Sequence, residues 1–393
     1  MTAALYIHIP FCVKKCDYCD FYSIPVDAAA DERLMDRYIV SLCRDIEFQI
    51  RVFSVTTINS VYIGGGTPSA LGARRMGRLL DFLRRILRGR GVCEFTVEVN
   101  PESTGEDFLR VCAEGGVTRI SCGVQTFDSE TRRAVGRTGE ISAIHSALSL
   151  LSDIYKDAFS ADLISGLPAQ DEGALPRDIE TLLRYRPAHI SLYDLTLEEN
   201  TPLYKNVISG KLPLPPPEKA EKLWIEGRNI LENNGYAQYE VSNFAREGKR
   251  SLHNIVYWRM GQWIGAGTSA SGTMVYDNAG GVYGERRVIS ASVSRYITDS
   301  APQIFVERLD RLTLIKESFL MGFRYIDGPD EILFSKRFGR TVESLAPQTL
   351  LAWREKGMMG DGKIALNGQG LLMLNRFLTD CFLEMDRTFL DYE

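Results

Sequence analysis

The chain has 393 residues, 45% apolar and 25% charged, the balance of an ordinary globular protein with room for two or three domains. Its 46 Lys and Arg against 51 Asp and Glu leave a net charge of −5, which argues against a partner as anionic as a nucleic-acid backbone. No apolar run approaches the roughly 18 residues that a membrane span needs. The opening MTAALYIHIPFC has no basic stretch ahead of its apolar one, so no export signal is expected and a cytoplasmic location is.

In chain order, six short runs have β character: 4–9, 60–65, 94–99, 119–124, 159–164 and 188–193. Helical periodicity fills the intervals. It is clearest over 73–88, where Met76, Leu79, Leu80, Leu83 and Leu87 share a face and the arginines between 74 and 90 fall mainly elsewhere. Without a series of aromatics interleaved among them, those arginines read as a solvated helix face rather than an RNA-binding stripe. Strands alternating with helices predict right-handed βαβ units and a parallel sheet. Six such strands predict an α/β fold built on a partial (β/α)6 barrel, open on one side. The proline-rich LPLPPPEK (212–219) then marks a boundary before a helix at 218–233. We divide the chain into a barrel at 1–212, a mixed α+β connecting region at 213–304 and a helical, winged-helix-like domain at 305–393. In that last segment a helix is expected at 311–326, and a strand, turn and amphipathic helix at 363–385. Residues 301–393 hold 12 Lys and Arg and 14 Asp and Glu, which argues against a DNA-binding wing.

Unusual residues follow each of the first five strands: a cysteine cluster, GGGTPS (64–69), Asn100-Pro101, Gln125 and SGLP (165–168). In βα-barrels the chemistry sits on the loops at the C-terminal strand ends, so these five loops predict one shared site. Of eight cysteines, Cys43, Cys93, Cys112, Cys122 and Cys381 are scattered and read as small buried hydrophobes. Cys12, Cys16 and Cys19 put three thiols on one loop. A structural zinc site wants four closed ligands, commonly on two knuckles, and no second CxxC follows; His8, within a strand, reads as structural. Iron–sulfur clusters are also held by thiolates, normally four. With three supplied, a [4Fe–4S] cube keeps one iron open, as catalytic metal sites do for substrate or cosubstrate.

The run HIPFCVKKCDYCDFYS resembles the radical S-adenosylmethionine (SAM) superfamily, and within it the oxygen-independent coproporphyrinogen III oxidase-like family, from Tyr6 to the C-terminal helix. The resemblance implies cluster ligation by Cys12, Cys16 and Cys19, with the amino and carboxylate groups of SAM on the open iron. It also implies SAM-binding positions at Tyr6, Tyr18, Gly65, Gly66, Thr67, Glu98, Gln125, Arg137 and Asp162. A guanidinium can pair with the methionyl carboxylate, and carboxylates or an amide can take ribose hydroxyls and the ammonium. Singly, Glu98 or Asp162 would pass for a helix-capping carboxylate and the glycines for a turn.

Two branches of that family are similar to this point. The oxidase branch carries a fourth cysteine two residues beyond the third, where this chain has Phe21, and a longer segment ahead of the motif. The CDFYS ending and HNIVYW (253–258), ahead of the GAGTSASG loop (265–272), resemble the heme chaperone branch. The resemblance to that branch implies heme as a cargo, a heme-accepting protein as the partner, monomer or dimer, and room for peripheral contact with a membrane-bound acceptor. The competing expectation is an enzyme that cleaves SAM to a radical and oxidatively decarboxylates coproporphyrinogen III. A neutral histidine can ligate heme iron, so His253 is a candidate heme ligand; the alternative is that it hydrogen-bonds within the fold while Trp258 packs a domain interface. Gly139, Ser165 and Cys122 depart from the branch's usual residues without touching a cluster or SAM position.

Overall fold

The six β-rich runs become strands β1 (Thr2–Ile9), β2 (Thr57–Gly65), β3 (Glu94–Val99), β4 (Arg119–Gln125), β5 (Phe159–Ser165) and β6 (His189–Asp194) in a computed structural model that describes residues 1–137, 139–278 and 281–390. They pair in parallel in sequence order, with Leu5 beside Val61, Val61 beside Phe95, Val97 beside Ile120, Cys122 beside Ala161, and Ala161 beside Ile190. Helices cover the outside, so these strands are buried on both faces and read as nearly continuous apolar runs.

The crossovers are α1 (Glu32–Val52), α2 (Gly72–Ile86), α3 (Glu106–Glu114), α4 (Ser129–Ala134), α5 (Ile141–Ile154) and α6 (Ala174–Leu183). On α2, Met76, Leu79, Leu80 and Leu83 are buried as their spacing requires, and Arg78, Arg84 and Arg85 face solvent. Arg75 is the exception. It is buried against α1, where Nε meets Asp36 at 2.8 Å and Nη2 meets Glu32 at 3.1 Å.

Past β6 come α7 (Pro202–Ile208), α8 (Pro217–Asn233), β7 (Ala237–Gln238), β8 (Asn243–Ala245), α9 (Leu252–Trp258), β9 (Trp263–Ala266), β10 (Ser271–Asn278), β11 (Gly281–Ile289), α10 (Val293–Thr298) and β12 (Ile304–Leu309). Strands from this region extend the same sheet at both edges. β9 runs parallel beside β1, with Leu5 next to Ile264, while β8 pairs antiparallel with β6. The result is one sheet in the order β12-β11-β10-β9-β1-β2-β3-β4-β5-β6-β8-β7, wound into an incomplete barrel that is not closed by a β1–β6 pairing. Buried Asp45 on α1 fastens the added edge by accepting from Gly267 N at 2.8 Å and Tyr296 Oη at 2.7 Å.

A second hydrophobic cluster lies under α11 (Arg311–Arg324), α12 (Glu331–Phe338), α13 (Pro347–Glu355), α14 (Gly368–Leu372) and α15 (Leu374–Leu390), centred on Phe319, Phe323, Phe334 and Phe377. The strand expected near 363 is reduced to a single bridge between Met359 and Leu366. Asn367 explains why: its Oδ1 accepts from Gln369 N at 3.0 Å and Gly370 N at 2.9 Å, starting α14 where a wing strand would have continued. Among the described residues no helix is long and apolar enough to cross a membrane.

Candidate metal and cofactor site

The cysteine loop leaves β1 at Pro10 and is closed by parallel pairing of Phe11 and Cys12 with Ile24 and Pro25. Cys19 N donates to Cys16 O at 3.2 Å, Asp17 N donates to Val135 O at 3.0 Å, and Leu203 N donates to Asp17 O at 2.8 Å. The loop is therefore tied to segments beyond both β4 and β6. All three cysteines are unpaired thiols, Cys12 buried and the other two half-buried. Burial pushes the Cys19 thiol up to about 11, and the nearby Cys16 and Cys12 act in the same direction. Of the remaining five, Cys112, Cys122 and Cys381 are buried as expected, but Cys43 is half-buried and Cys93 exposed. Cys43 sits at the edge of the apolar face of α1, and Cys93 in the loop just before β3.

From the loop a polar belt crosses the strand ends. Cys12 Sγ lies 3.4 Å from Thr67 Oγ1, Asn100 Nδ2 donates to Thr67 Oγ1 at 3.2 Å, and Arg137 Nη2 donates to Asn100 Oδ1 at 3.3 Å. Arg137 Nη1 reaches Tyr18 Oη at 3.3 Å and Cys16 Sγ at 3.6 Å, and the same guanidinium donates to the Gly123 carbonyl. Burial opposes the Arg137 charge, but Tyr18, Cys16 and Glu102 around it outweigh burial and keep the guanidinium protonated. Gln125 joins the belt from β4 with a left-handed φ of 68°, a conformation that costs a non-glycine residue energy and that clusters at functional sites. A Cβ on Gly123 would stand 2.9 Å from Gln125 Nε2 and 3.3 Å from Asn100 Oδ1, so glycine at 123 is what lets these groups converge.

Deeper in the barrel, Glu98 accepts from Tyr62 Oη at 2.6 Å and Gly65 N at 3.2 Å. Burial raises its carboxyl to about 7, with the Asp162 charge adding to the effect. Asp162, raised by burial to about 6, takes the Ser121 hydroxyl at 3.4 Å. Glu98 and Asp162 border an interior cavity of about 50 Å³ together with Thr96, Arg119 and Tyr193. Tyr6 stacks on Tyr62 with ring centroids 6.3 Å apart, and its hydroxyl lies 3.0 Å from His8 Nδ1. His8 Nε2 bonds the Tyr22 carbonyl at 2.9 Å, the structural role its strand position implies. Gly65, at φ +107°, has no room for a side chain: a Cβ would meet the His8 ring at 2.4 Å. At Gly66 it would meet the carbonyls of Phe11 and Ile9 at 2.8 and 2.9 Å. These glycines thus let the turn after β2 press against the end of β1, placing Thr67 beside Cys12.

His253 borders this site from below, its ring centroid 5.1 Å from that of Tyr62. On α9 at the far end of the barrel, it is 1% exposed, with Nδ1 2.9 Å from Ser60 Oγ and Nε2 2.8 Å from Tyr257 Oη. Burial lowers it to about 3, so the ring is neutral, and both nitrogens are spent on protein partners. This is the hydrogen-bonded role within the fold that the sequence offered as the alternative to heme ligation. Glu94 holds α9 in this position by accepting from Leu252 N at 3.1 Å and His253 N at 2.9 Å. Sequence reasoning placed Asn100 at the shared strand-end site without giving it a role, and missed Tyr62. A role for Asn100 could have been read from its place two residues beyond Glu98, on the same face of the strand by period two.

The donor set can be tested against the expected groups. Among the described residues no three His, Cys, Asp or Glu side chains gather closely enough to hold a single ion. A [4Fe–4S] cube has a different requirement, one thiolate on each of three irons. Three unpaired thiols on one tethered loop meet it. Beside them, Gln125 Oε1 and Arg137 Nε are buried without a hydrogen-bond partner, as expected where a polar ligand completes a site.

Residues 6–205 match the Radical SAM superfamily. The chain is 32% identical to the heme chaperone HemW of Bacillus subtilis over 94% of its own length and 96% of that protein's. It is 35% identical to the bovine protein named radical S-adenosyl methionine domain-containing protein 1, mitochondrial, over 82% of this chain and 73% of that one. Its fold is that of coproporphyrinogen III oxidase (HemN) from Escherichia coli, with a TM-score of 0.78 at 22% identity over 96% of this chain and 89% of the other. With the cysteine loop, the strand-end belt and an end-to-end match together, the chain belongs to the radical SAM superfamily, in the heme chaperone HemW branch of the oxygen-independent coproporphyrinogen III oxidase-like family.

Proposed function

We propose that the chain carries a SAM-capped [4Fe–4S] cluster on Cys12, Cys16 and Cys19, binds heme and passes it to an acceptor protein. The observation that carries this reading is the match along 94% of the chain to a protein named heme chaperone. In this reading the cluster supplies an open iron and a redox-active centre. The chain's own residues do the positioning. Arg137, steadied by Tyr18, Asn100 and the Gly123 carbonyl, offers a charged donor for the SAM carboxylate. Gln125 Oε1 offers an unsatisfied acceptor for its ammonium or ribose, while Glu98 and Asp162 supply acceptors further in. Tyr6, Tyr18, Gly65, Gly66 and Thr67 shape the walls around them.

The oxidase alternative has the fold likeness in its favour, but a likeness at 22% identity supports the fold alone. At the position of the oxidase branch's fourth cysteine stands Phe21, an aromatic ring 69% exposed. The deciding experiment is a heme titration of the anaerobically reconstituted full chain, followed at the Soret band. Saturable, stoichiometric binding is expected, together with loss of iron and acid-labile sulfide in Cys16→Ala. Absence of saturable binding by cluster-loaded protein, or turnover of coproporphyrinogen III with release of 5′-deoxyadenosine, would overturn the chaperone reading in favour of the enzyme.

A further inference from the structure

The interior cavity bordered by Glu98 and Asp162, about 50 Å³ and polar, is too small for a porphyrin, and α9 fills the end below it. On the outside, an open groove of about 910 Å³ runs between α1 and α2, within the roughly 300–1,000 Å³ of small-molecule sites. Its floor is apolar, formed by Ile39, Val40 and Phe82 beside the thiol of Cys43. Val40 is 41% exposed in the middle of a helix whose neighbouring face is core. Around the floor stand Arg44, Arg78, Arg84 and Arg85, with one carboxylate, Asp81, among them.

Local carboxylates balance two of the four arginines and leave the rim net positive. Arg78 reaches Asp36 at 3.6 Å and Arg84 pairs with Asp81, while neither Arg44 nor Arg85 has a carboxylate partner among the described residues. In a chain of net charge −5, four guanidiniums around an apolar floor select an anion that is itself largely apolar. A single-stranded nucleic acid asks for something different, a track of cations with several aromatic platforms, and Phe82 is the only aromatic side chain lining the groove. A flat tetrapyrrole with two carboxylates fits both halves: its ring covers the floor, and its propionates pair with guanidiniums, the geometry in which Arg–carboxylate contacts are strongest.

We propose that this groove is the heme site, with the propionates held by the arginine rim and the iron facing Cys43. The proposal rests on the heme-carrier reading above. Ligation of ferric heme would form an Fe–S bond as the Cys43 thiol releases its proton to water, with no change in oxidation state. Burial pushes that thiol up to about 11 against the pull of Arg78 and Arg85, so it is neutral until a metal displaces the proton. The site lies on the outer face of the barrel, apart from the cysteine loop. An acceptor protein could therefore take the heme directly while the cluster stays enclosed.

The test is titration of the reconstituted full chain with hemin and with hemin dimethyl ester, in wild type, Cys43→Ala and the double variant Arg78→Glu/Arg85→Glu. Cys43→Ala is expected to move the Soret band and abolish the ferric-thiolate electron paramagnetic resonance signature. The charge reversal is expected to weaken hemin binding by about tenfold or more and to leave binding of the ester nearly unchanged. Iron and sulfide contents equal to wild type show that both variants fold, and Cys93→Ala, at an exposed thiol, controls for nonspecific ligation. If wild type binds hemin saturably and both variants match it in affinity and spectrum, the groove is not the site and the carrier reading stands. If wild type shows no saturable binding, the carrier reading itself has failed and takes this proposal with it.

Discussion

Glu98 and Asp162 are carboxylates facing the interior cavity with no ion pair of their own among the described residues. Burial raises Glu98 from 4.5 to about 7 and Asp162 from 3.8 to about 6. A carboxyl raised on folding binds more protons in the native state than in the unfolded one, so its contribution is favourable below the unfolded value and is lost as pH climbs through the folded value. Stability is therefore expected to fall between pH 4.5 and about 7 and to level off above. Urea unfolding across that range, on wild type and Glu98→Gln, measures it; a slope identical in the two proteins would refute the assignment to Glu98. The identity of Glu98 as a site residue was legible in the EVNP motif. Its protonation was not, because that depends on depth in the barrel and on a second carboxylate 64 positions along the chain.

At the scale of elements, α4 shows how a short helix can hold a site it does not enter. Asp128 caps it by accepting from Thr131 N at 2.7 Å. Its Arg132, 2% exposed, donates to the Val124 and Thr126 carbonyls at 3.2 and 3.4 Å and pairs with Glu102 at 2.5 Å. Those carbonyls flank Gln125, so Arg132 fixes the left-handed turn that aims the Gln125 side chain. Replacing it by Met leaves Glu102 and both carbonyls short of a partner, at a cost of about 3 kcal/mol, the low end for breaking a buried pair, since Glu102 keeps some solvent. Thermal unfolding of Arg132→Met checks this, and SAM affinity of the reconstituted variant should drop with it. A variant as stable as wild type would show that the turn holds itself. The sequence reading placed α2 and its arginine face within two residues of the structure, because an amphipathic stripe is a local property. It did not single out Arg132 or buried Arg75, since partners thirty or more positions away leave no periodic trace.

Across the whole molecule, one sheet joins two apolar cores. The first runs from Ala3 to Tyr296 and the second from Met260 to Met385, and they overlap in sequence where β9 to β11 extend the sheet. Phe377 is fully buried in the second core, 4.6 Å from Phe323 and 5.1 Å from Trp353 by ring centroids. Phe377→Ala should cost about 3–5 kcal/mol and loosen the C-terminal helices first. Hydrogen exchange resolved by segment would then show lost protection over 311–390 with β1 to β6 unchanged. Uniform loss across both cores would mean that they unfold as a single unit.

What the sequence determined by itself was whatever is encoded in neighbouring residues: six strands from short apolar runs, helices from their stripes, and a cluster loop from three cysteines within eight positions. The strand ends carrying the belt followed from the βα alternation, because parallel strands with right-handed crossovers send all their C-terminal ends to one side. Tertiary structure alone decided the rest. It seated HNIVYW as a helix under the barrel, because Ser60 and Glu94 come from strands about 160–190 residues earlier and bond its polar groups. It also placed Cys43, an ordinary helix residue in sequence, between arginines of a neighbouring helix, because which faces of α1 and α2 meet depends on how both pack against β1 and β2. Periodicity tells which side of an element is apolar; only packing tells what that side, or its rim, will face.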